Sequence, residues 1–202
     1  MAPAIKIERT KIPEVVALFP REFTDLRGTF AETYNRRTFS ELGLDWEFVQ
    51  DNQSYSAKKG TIRGLHFQIP PAAQTKLIRV LRGSVLDVAV DIREGSPTYG
   101  QHVSQLLTAE NRAQFLMPEG FAHGFCTLED DTVVLYKVTR YYSTSHERGL
   151  RWNDPALGID WGVSGSEALL NPRDHEFPLL SELQGFFAYP KNGRLAENVE
   201  VP

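Results

Sequence analysis

The sequence predicts an all-β chain, an antiparallel sandwich or jelly roll with a few short peripheral helices, and three observations point to it. Between residues 47 and 142, short runs rich in Val, Ile, Leu, Phe and Tyr alternate with glycine, proline and acidic punctuation, with almost no helical periodicity. The run KLIRVLRGSVLDVAVDI holds one strand at 76–81 and a second at 85–92, with Arg82, Gly83 and Ser84 between them. So brief a connection predicts antiparallel partners. Apolar residues fall on both faces of these strands, as sheets packed face to face require.

Taken in order, the elements fit that class. Thr38 followed three residues later by Glu41 reads as a capping box, and Gly43 as a stop, so one short helix is expected beside the sheets. The stretches REGSPTYG and PEGFAHG supply corners. After Tyr142 the pattern turns to loops in STSHERGLRWNDPALGIDW, and little periodicity remains from Leu180. No repeat, low-complexity tract or linker divides the chain, so residues 1–202 are expected to form a single domain with a loop-rich tail from about 180.

Bulk properties narrow the function. A 202-residue chain can bury roughly 70% of its surface in one core. With 41% hydrophobic and 24% charged residues and no apolar run near the ~20 residues of a membrane span, a soluble protein without a membrane partner is expected. The start MAPAIKIERTKIPEVV lacks the pattern of a signal peptide, and the lone Cys126 forms no internal disulfide, so the expected compartment is the cytoplasm. A net charge of -4 without a basic run argues against nucleic acid, while a phosphate-bearing small ligand needs only a few local arginines.

Several polar residues sit where a core strand would not want them. In GTIRGLHFQ, alternation puts His66 and Gln68 on one face and Leu65 and Phe67 on the other. Arg63 falls opposite His66 unless Gly64 forms a bulge that re-aims it. In GFAHGFCTL the same period groups His123 with Phe121 and Phe125, and in VVLYKVTRYY it groups Tyr136, Val138, Arg140 and Tyr142. A lone histidine in a strand is usually structural, but several strands offering polar groups among aromatics have the make-up of a pocket in a barrel mouth. His66 and His123 stand without a His-x-His pair, and His102, His146 and His175 lie in loop-like or unassigned segments, so no metal site is expected. Cys126 lies within a strand and no serine occupies a nucleophile elbow, which argues against nucleophilic catalysis.

The motifs FTDLRGTFAETYN, FVQDNQSYS, GTIRGLHFQ, TKLIRVLRGSVLDVAVDIREGSPTYG, MPEGFAHGF, LYKVTRYYS, ERGLRWNDP and LLNPRDHEFP stand in one order along most of the chain. Together they resemble the dTDP-4-dehydrorhamnose 3,5-epimerases, a cupin-like jelly-roll family. The resemblance implies a homodimer that inverts two carbons beside the ketone of dTDP-4-dehydro-6-deoxy-D-glucose, with no metal and no organic cofactor. By motif, His66 is then the base and Tyr136 the opposing acid, Asp174 holds the imidazole, and Lys76 faces the developing enolate oxygen. Arg27, Glu32, Gln50, Asn52, Arg63, His123, Glu147 and Arg173 fall at positions for the nucleotide and its diphosphate, and Phe30 and Tyr142 at positions that sandwich thymine. The closing motif departs from the family's serine-x-lysine-aspartate, reading Asn171, Pro172, Arg173, Asp174, which keeps the charge and alters the fork. Competing readings are an epimerase of one carbon or a ketoisomerase on another dTDP-4-keto-6-deoxyhexose, a silent sugar-nucleotide binder, and a metal-dependent cupin oxygenase.

Overall fold

The computed structural model describes residues 4–190. Val/Ile/Phe-rich segments form strands because branched and aromatic side chains fill a pleated, packed surface. In chain order these are β1 (Ile5–Arg9), β2 (Val16–Pro20), β3 (Glu22–Asp25) and β4 (Gly28–Ala31), then helix α1 (Arg36–Glu41), then β5 (Gln50–Ser56). Next come β6 (Ile62–Gln68), β7 (Lys76–Arg82), β8 (Ser84–Asp91), β9 (Arg93–Glu94) and β10 (His102–Thr108). The chain continues with β11 (Gln114–Met117), β12 (Phe121–Thr127), β13 (Thr132–Val138), β14 (Glu147–Gly149) and β15 (Phe187–Ala188).

Two antiparallel sheets make the body, one in the order β1-β2-β11-β7-β13-β5 and the other β10-β8-β12-β6-β14. Ile78, Val80, Phe115 and Val134 from the first sheet meet Val85, Ala89, Phe121 and Phe125 from the second in one buried cluster, so a core joins the two layers. Both outer faces are also covered. Leu65, Phe67, Val88 and Val90 pack against Trp152, Leu157 and Trp161 of the later loops, while Leu18, Leu77 and Leu116 pack against Phe39 from α1. That double burial accounts for the apolar residues on both faces of the strands.

The expected jelly-roll layers are present, and several details differ from the expectation. β7 and β8 are not partners: β7 lies between β11 and β13, and β8 between β10 and β12, in opposite sheets. Inward residues of both strands are needed in the same inter-sheet core, so the chain turns a corner at Gly83 (φ +76) and crosses layers instead of folding back on itself. The helix cap is Asn35, whose side chain accepts from the amides of Arg37 and Thr38, and Thr38 instead donates to Glu32 Oε1 at 3.1 Å. The N-terminal region carries β1 to β4 ahead of the expected β stretch, and β14 lies within the segment read as loops. β13 ends at Val138, so the alternation does not run on to Arg140 and Tyr142. The tail from Leu180 opens with a short 3-10 turn and β15, which pairs in parallel with β9; its part beyond residue 190 lies outside the described residues. Among the described residues no helix is long and apolar enough to cross a membrane.

Candidate active site

The site begins with a defect in a strand. β12 pairs with β6 at His123↔His66 and then at Phe125↔Arg63, so two steps on β12 match three on β6. One extra residue on β6 therefore bulges out at Gly64 and Leu65, and Arg63 joins His66 on the inner face. Gly64 (φ +137) makes this feasible, because a Cβ there would lie 2.5 Å from Gly124 Cα and 2.8 Å from His123 O. Leu65 and Phe67 point outward into the second cluster, as alternation requires.

The bulge opens onto a cavity of about 510 Å³ between the two sheets, lined by Arg63, His66, Lys76, His123, Tyr136 and Asp174 among others. That volume suits a small polar ligand. His66 comes from β6 of one sheet and Tyr136 from β13 of the other, so the ring and the phenol approach the cavity from opposite walls. His66 Nε2 lies 3.0 Å from Asp174 Oδ1. A carboxylate oxygen only accepts, so Nε2–H donates and Nδ1 carries the lone pair. Asp174 sits in the 3-10 turn Pro172–His175, which Asn171 caps by accepting from the Arg173 amide. Burial pushes its carboxyl up, but the His66 hydrogen bond and charge, the Gly64 amide and Arg173 outweigh that and hold it below the ordinary carboxylate value.

The other groups are tuned in complementary directions. Burial pushes the Lys76 ammonium down to about 8, against the pull of Asp87 and Glu147, and its Nζ donates to the His66 carbonyl at 3.3 Å. Burial pushes the Tyr136 phenol up, with Arg63 opposing, so it is protonated at neutral pH. Glu147 is pushed up by burial, but the Tyr142 hydroxyl and the Arg173 fork bring it below its usual value.

Sequence reasoning missed two members. Asp87 on β8 is fully buried and accepts from His123 Nε2 at 2.9 Å, while burial drives the carboxyl up and the imidazole down. An acid on the same strand face as Val85 and Ala89 was the available signal, since a carboxylate in a core strand needs a partner. Ser54 on β5 also lines the cavity, and its buried Oγ has no hydrogen-bond partner among the described residues.

The remaining expected residues divide into two groups. Gln50 accepts from the Tyr142 amide and donates to Asn52, which pairs in register with Tyr136, while Tyr142 donates to Glu147 Oε2 at 2.6 Å. Of these, Glu147 lines the cavity, and the others connect to it through Glu147 and Tyr136. Arg27, Phe30 and Glu32 do not reach the cavity of their own chain. Arg27 pairs with Asp25 at the tip of the β3–β4 hairpin, Phe30 on that hairpin is 69% exposed, and Glu32 accepts from Asn35 and Thr38 at the start of α1. The hairpin forms a sheet of its own, so the topology carries these residues away from β6. Among the described residues no three His, Cys, Asp or Glu side chains converge as a metal-binding group.

A jelly roll with an imidazole and a phenol on facing walls of one cavity has the acid–base make-up of an isomerase that moves protons on a bound ligand. A family model described as dTDP-4-dehydrorhamnose 3,5-epimerase matches residues 9–182. A dTDP-4-dehydrorhamnose 3,5-epimerase of Sinorhizobium fredii is 52% identical over 180 residues, covering 89% of this chain and 92% of that protein. The crystal structure of the Bacillus anthracis dTDP-4-dehydrorhamnose 3,5-epimerase with TDP and PPi bound is 50% identical, with a TM-score of 0.84, covering 87% of this chain and 99% of that one. A Legionella pneumophila dTDP-6-deoxy-D-glucose-3,5-epimerase in complex with dTDP-4-keto-L-rhamnose is 42% identical, with a TM-score of 0.87, covering 92% and 99%. The chain belongs to the dTDP-4-dehydrorhamnose 3,5-epimerase family.

Proposed function

We propose that the protein converts dTDP-4-dehydro-6-deoxy-D-glucose to dTDP-4-dehydro-L-rhamnose, inverting C3 and C5 in dTDP-L-rhamnose biosynthesis. The observation that carries this reading is the placement of His66 and Tyr136 on opposite walls of one cavity, with Asp174 on the far nitrogen of the imidazole. Inversion beside a ketone needs a base on one face of the sugar and an acid on the other. His66 Nδ1 takes the proton, and Tyr136 returns one from the opposite side. Lys76 faces the enolate oxygen, a donor worth roughly 10² to 10³ in rate. Asp174 orients the ring and stabilises the imidazolium that forms.

Arg63, His123, Gln50, Asn52, Glu147, Arg173 and Tyr142 surround the nucleotide and diphosphate in this reading, and Ser54 Oγ donates to a ligand oxygen. Arg27, Phe30 and Glu32 act from a second copy. The β3–β4 hairpin exposes Phe23, Leu26 and Phe30, and β5 at the edge of its sheet has only β13 as a partner among the described residues, so the hairpin of one protomer has an open strand to reach on the other. In this reading the protein is a single-domain homodimer that works in the cytoplasm without nucleic acid or membrane.

Proton NMR in deuterated water tests the reaction. Deuterium at both C3 and C5 with formation of the L-rhamno product is the expected result. Exchange at one position alone makes it a mono-epimerase, a shifted ketone makes it a ketoisomerase, and no exchange makes it a binder.

A further inference from the structure

The Asp174 oxygen that holds the base has a second charged neighbour. Arg173 Nε lies 3.7 Å from Asp174 Oδ1, the same atom that accepts from His66 Nε2. Arg173 is fixed there from the other side. Its NH1 and NH2 donate to Glu147 Oε2 and Oε1 at 2.9 and 3.1 Å, a fork that leaves Nε turned to Asp174. Glu147 Oε2 also accepts from the Tyr142 hydroxyl, so a continuous chain of contacts runs from the cavity rim to the base.

The surroundings strengthen that coupling. The Phe177 ring lies 5.6 Å from the His66 ring and 5.9 Å from the Arg173 guanidinium, shielding one side of both from water. Space for it exists because Gly149, opposite His66 in the β14–β6 register, has no side chain; a Cβ there would lie 2.2 Å from the Phe177 ring. Two of the five guanidinium N–H groups are already taken by Glu147, and a third faces Asp174. This is the geometry of a brace as much as of a free phosphate clamp.

We propose that Arg173, braced by Glu147, is a positioning residue for the His66–Asp174 pair, fixing the carboxylate against the imidazole and setting the charge under which the ring takes up its proton. The inference rests on His66 being the base. The charged and titratable groups facing the ring are Asp174 and Arg173 from the turn, Glu147 from β14, Lys76 from β7, His123 from β12, Tyr136 from β13 and Arg63 from its own strand. Removing the positive charge of Arg173 favours the protonated ring, and removing the negative charge of Glu147 disfavours it.

The test measures kcat and KM against pH, from deuterium incorporation into dTDP-4-dehydro-6-deoxy-D-glucose, for wild type, Arg173→Gln, Arg173→Lys and Glu147→Gln, with dTDP titration of each variant as a check on folding and binding. Arg173→Gln is expected to lower kcat and move the acid limb of the kcat profile to higher pH. Glu147→Gln moves the limb down, and Arg173→Lys, which keeps the charge, restores it to the wild-type position. A rise in KM alone for Arg173→Gln, with kcat and the limb unchanged, would overturn the inference and leave Arg173 a nucleotide contact. Absence of exchange in the wild type would instead sink the assignment of His66 itself, and the inference with it.

Discussion

Asp174 holds His66 by Nε2, not Nδ1, at 3.0 Å, so the nitrogen free to meet a carbon acid is the one nearer the backbone. In the proposed mechanism, a sugar must present its carbon acid to Nδ1. The contact also separates two roles that a single histidine cannot fill at both nitrogens, since one must donate to the carboxylate while the other accepts.

His66→Ala is therefore expected to abolish deuterium exchange at C3 and C5 while dTDP affinity stays within about tenfold, or ~1.4 kcal/mol. Calorimetric titration with dTDP and NMR on the same sample check this. Retained turnover with lost binding would reverse the assignment.

In the proposed mechanism, Tyr136→Phe removes the proton donor from the facing wall and leaves the His66 base in place. Turnover to the inverted product is expected to fall by roughly 10² to 10⁴, the usual weight of a general acid. Deuterium should then enter the starting sugar faster than inverted product accumulates. Equal, unreduced rates of both would remove Tyr136 from the mechanism.

Lys76, pushed down to about 8 by burial, predicts a basic limb near that pH in kcat/KM, because only the ammonium stabilises an enolate oxygen. Lys76→Met is expected to lose roughly 10² to 10³ in rate and the limb with it. Stability has a matching sign. The folded lysine binds its proton less tightly than the unfolded one, so between about 8 and the ordinary 10.5 the unfolded chain holds more protons and stability rises with pH. Urea titrations of wild type and Lys76→Met across that range should diverge accordingly.

Asp87→Ala strands His123 and leaves Lys76 without a buried counter-charge. A loss of roughly 3–5 kcal/mol is expected, as for other broken buried pairs. Equilibrium urea unfolding measures it, and a change below ~1 kcal/mol would show that the pair is not structural.

How far the sequence disclosed all this depends on which contacts are local. Period-two alternation identified the face of β6 that carries His66 and the faces of β12 and β13 that carry His123 and Tyr136, because side-chain direction within a strand is set by the backbone alone. A bulge at Gly64 that brings Arg63 round was legible as an option, and the β12–β6 register shift contains it. The pairing of β7 with β8 was misread because loop length reports how near two strands begin and not which layer each joins. Asp87 stayed hidden because its partner lies 36 residues away across the sheet. Asp174 was placed by its motif, since no local pattern links it to a strand more than a hundred residues earlier. Arg27, Phe30 and Glu32 match the family's motif, yet the fold of one chain holds them elsewhere.

Gly64 and Gly124 touch across β6 and β12 with no room for even a methyl group on either. Anyone diversifying this scaffold toward other hexoses should expect those two codons to come back unchanged from every library. Adaptable chemistry must then be sought on the loops and rim, where side chains can vary without pushing two backbones apart.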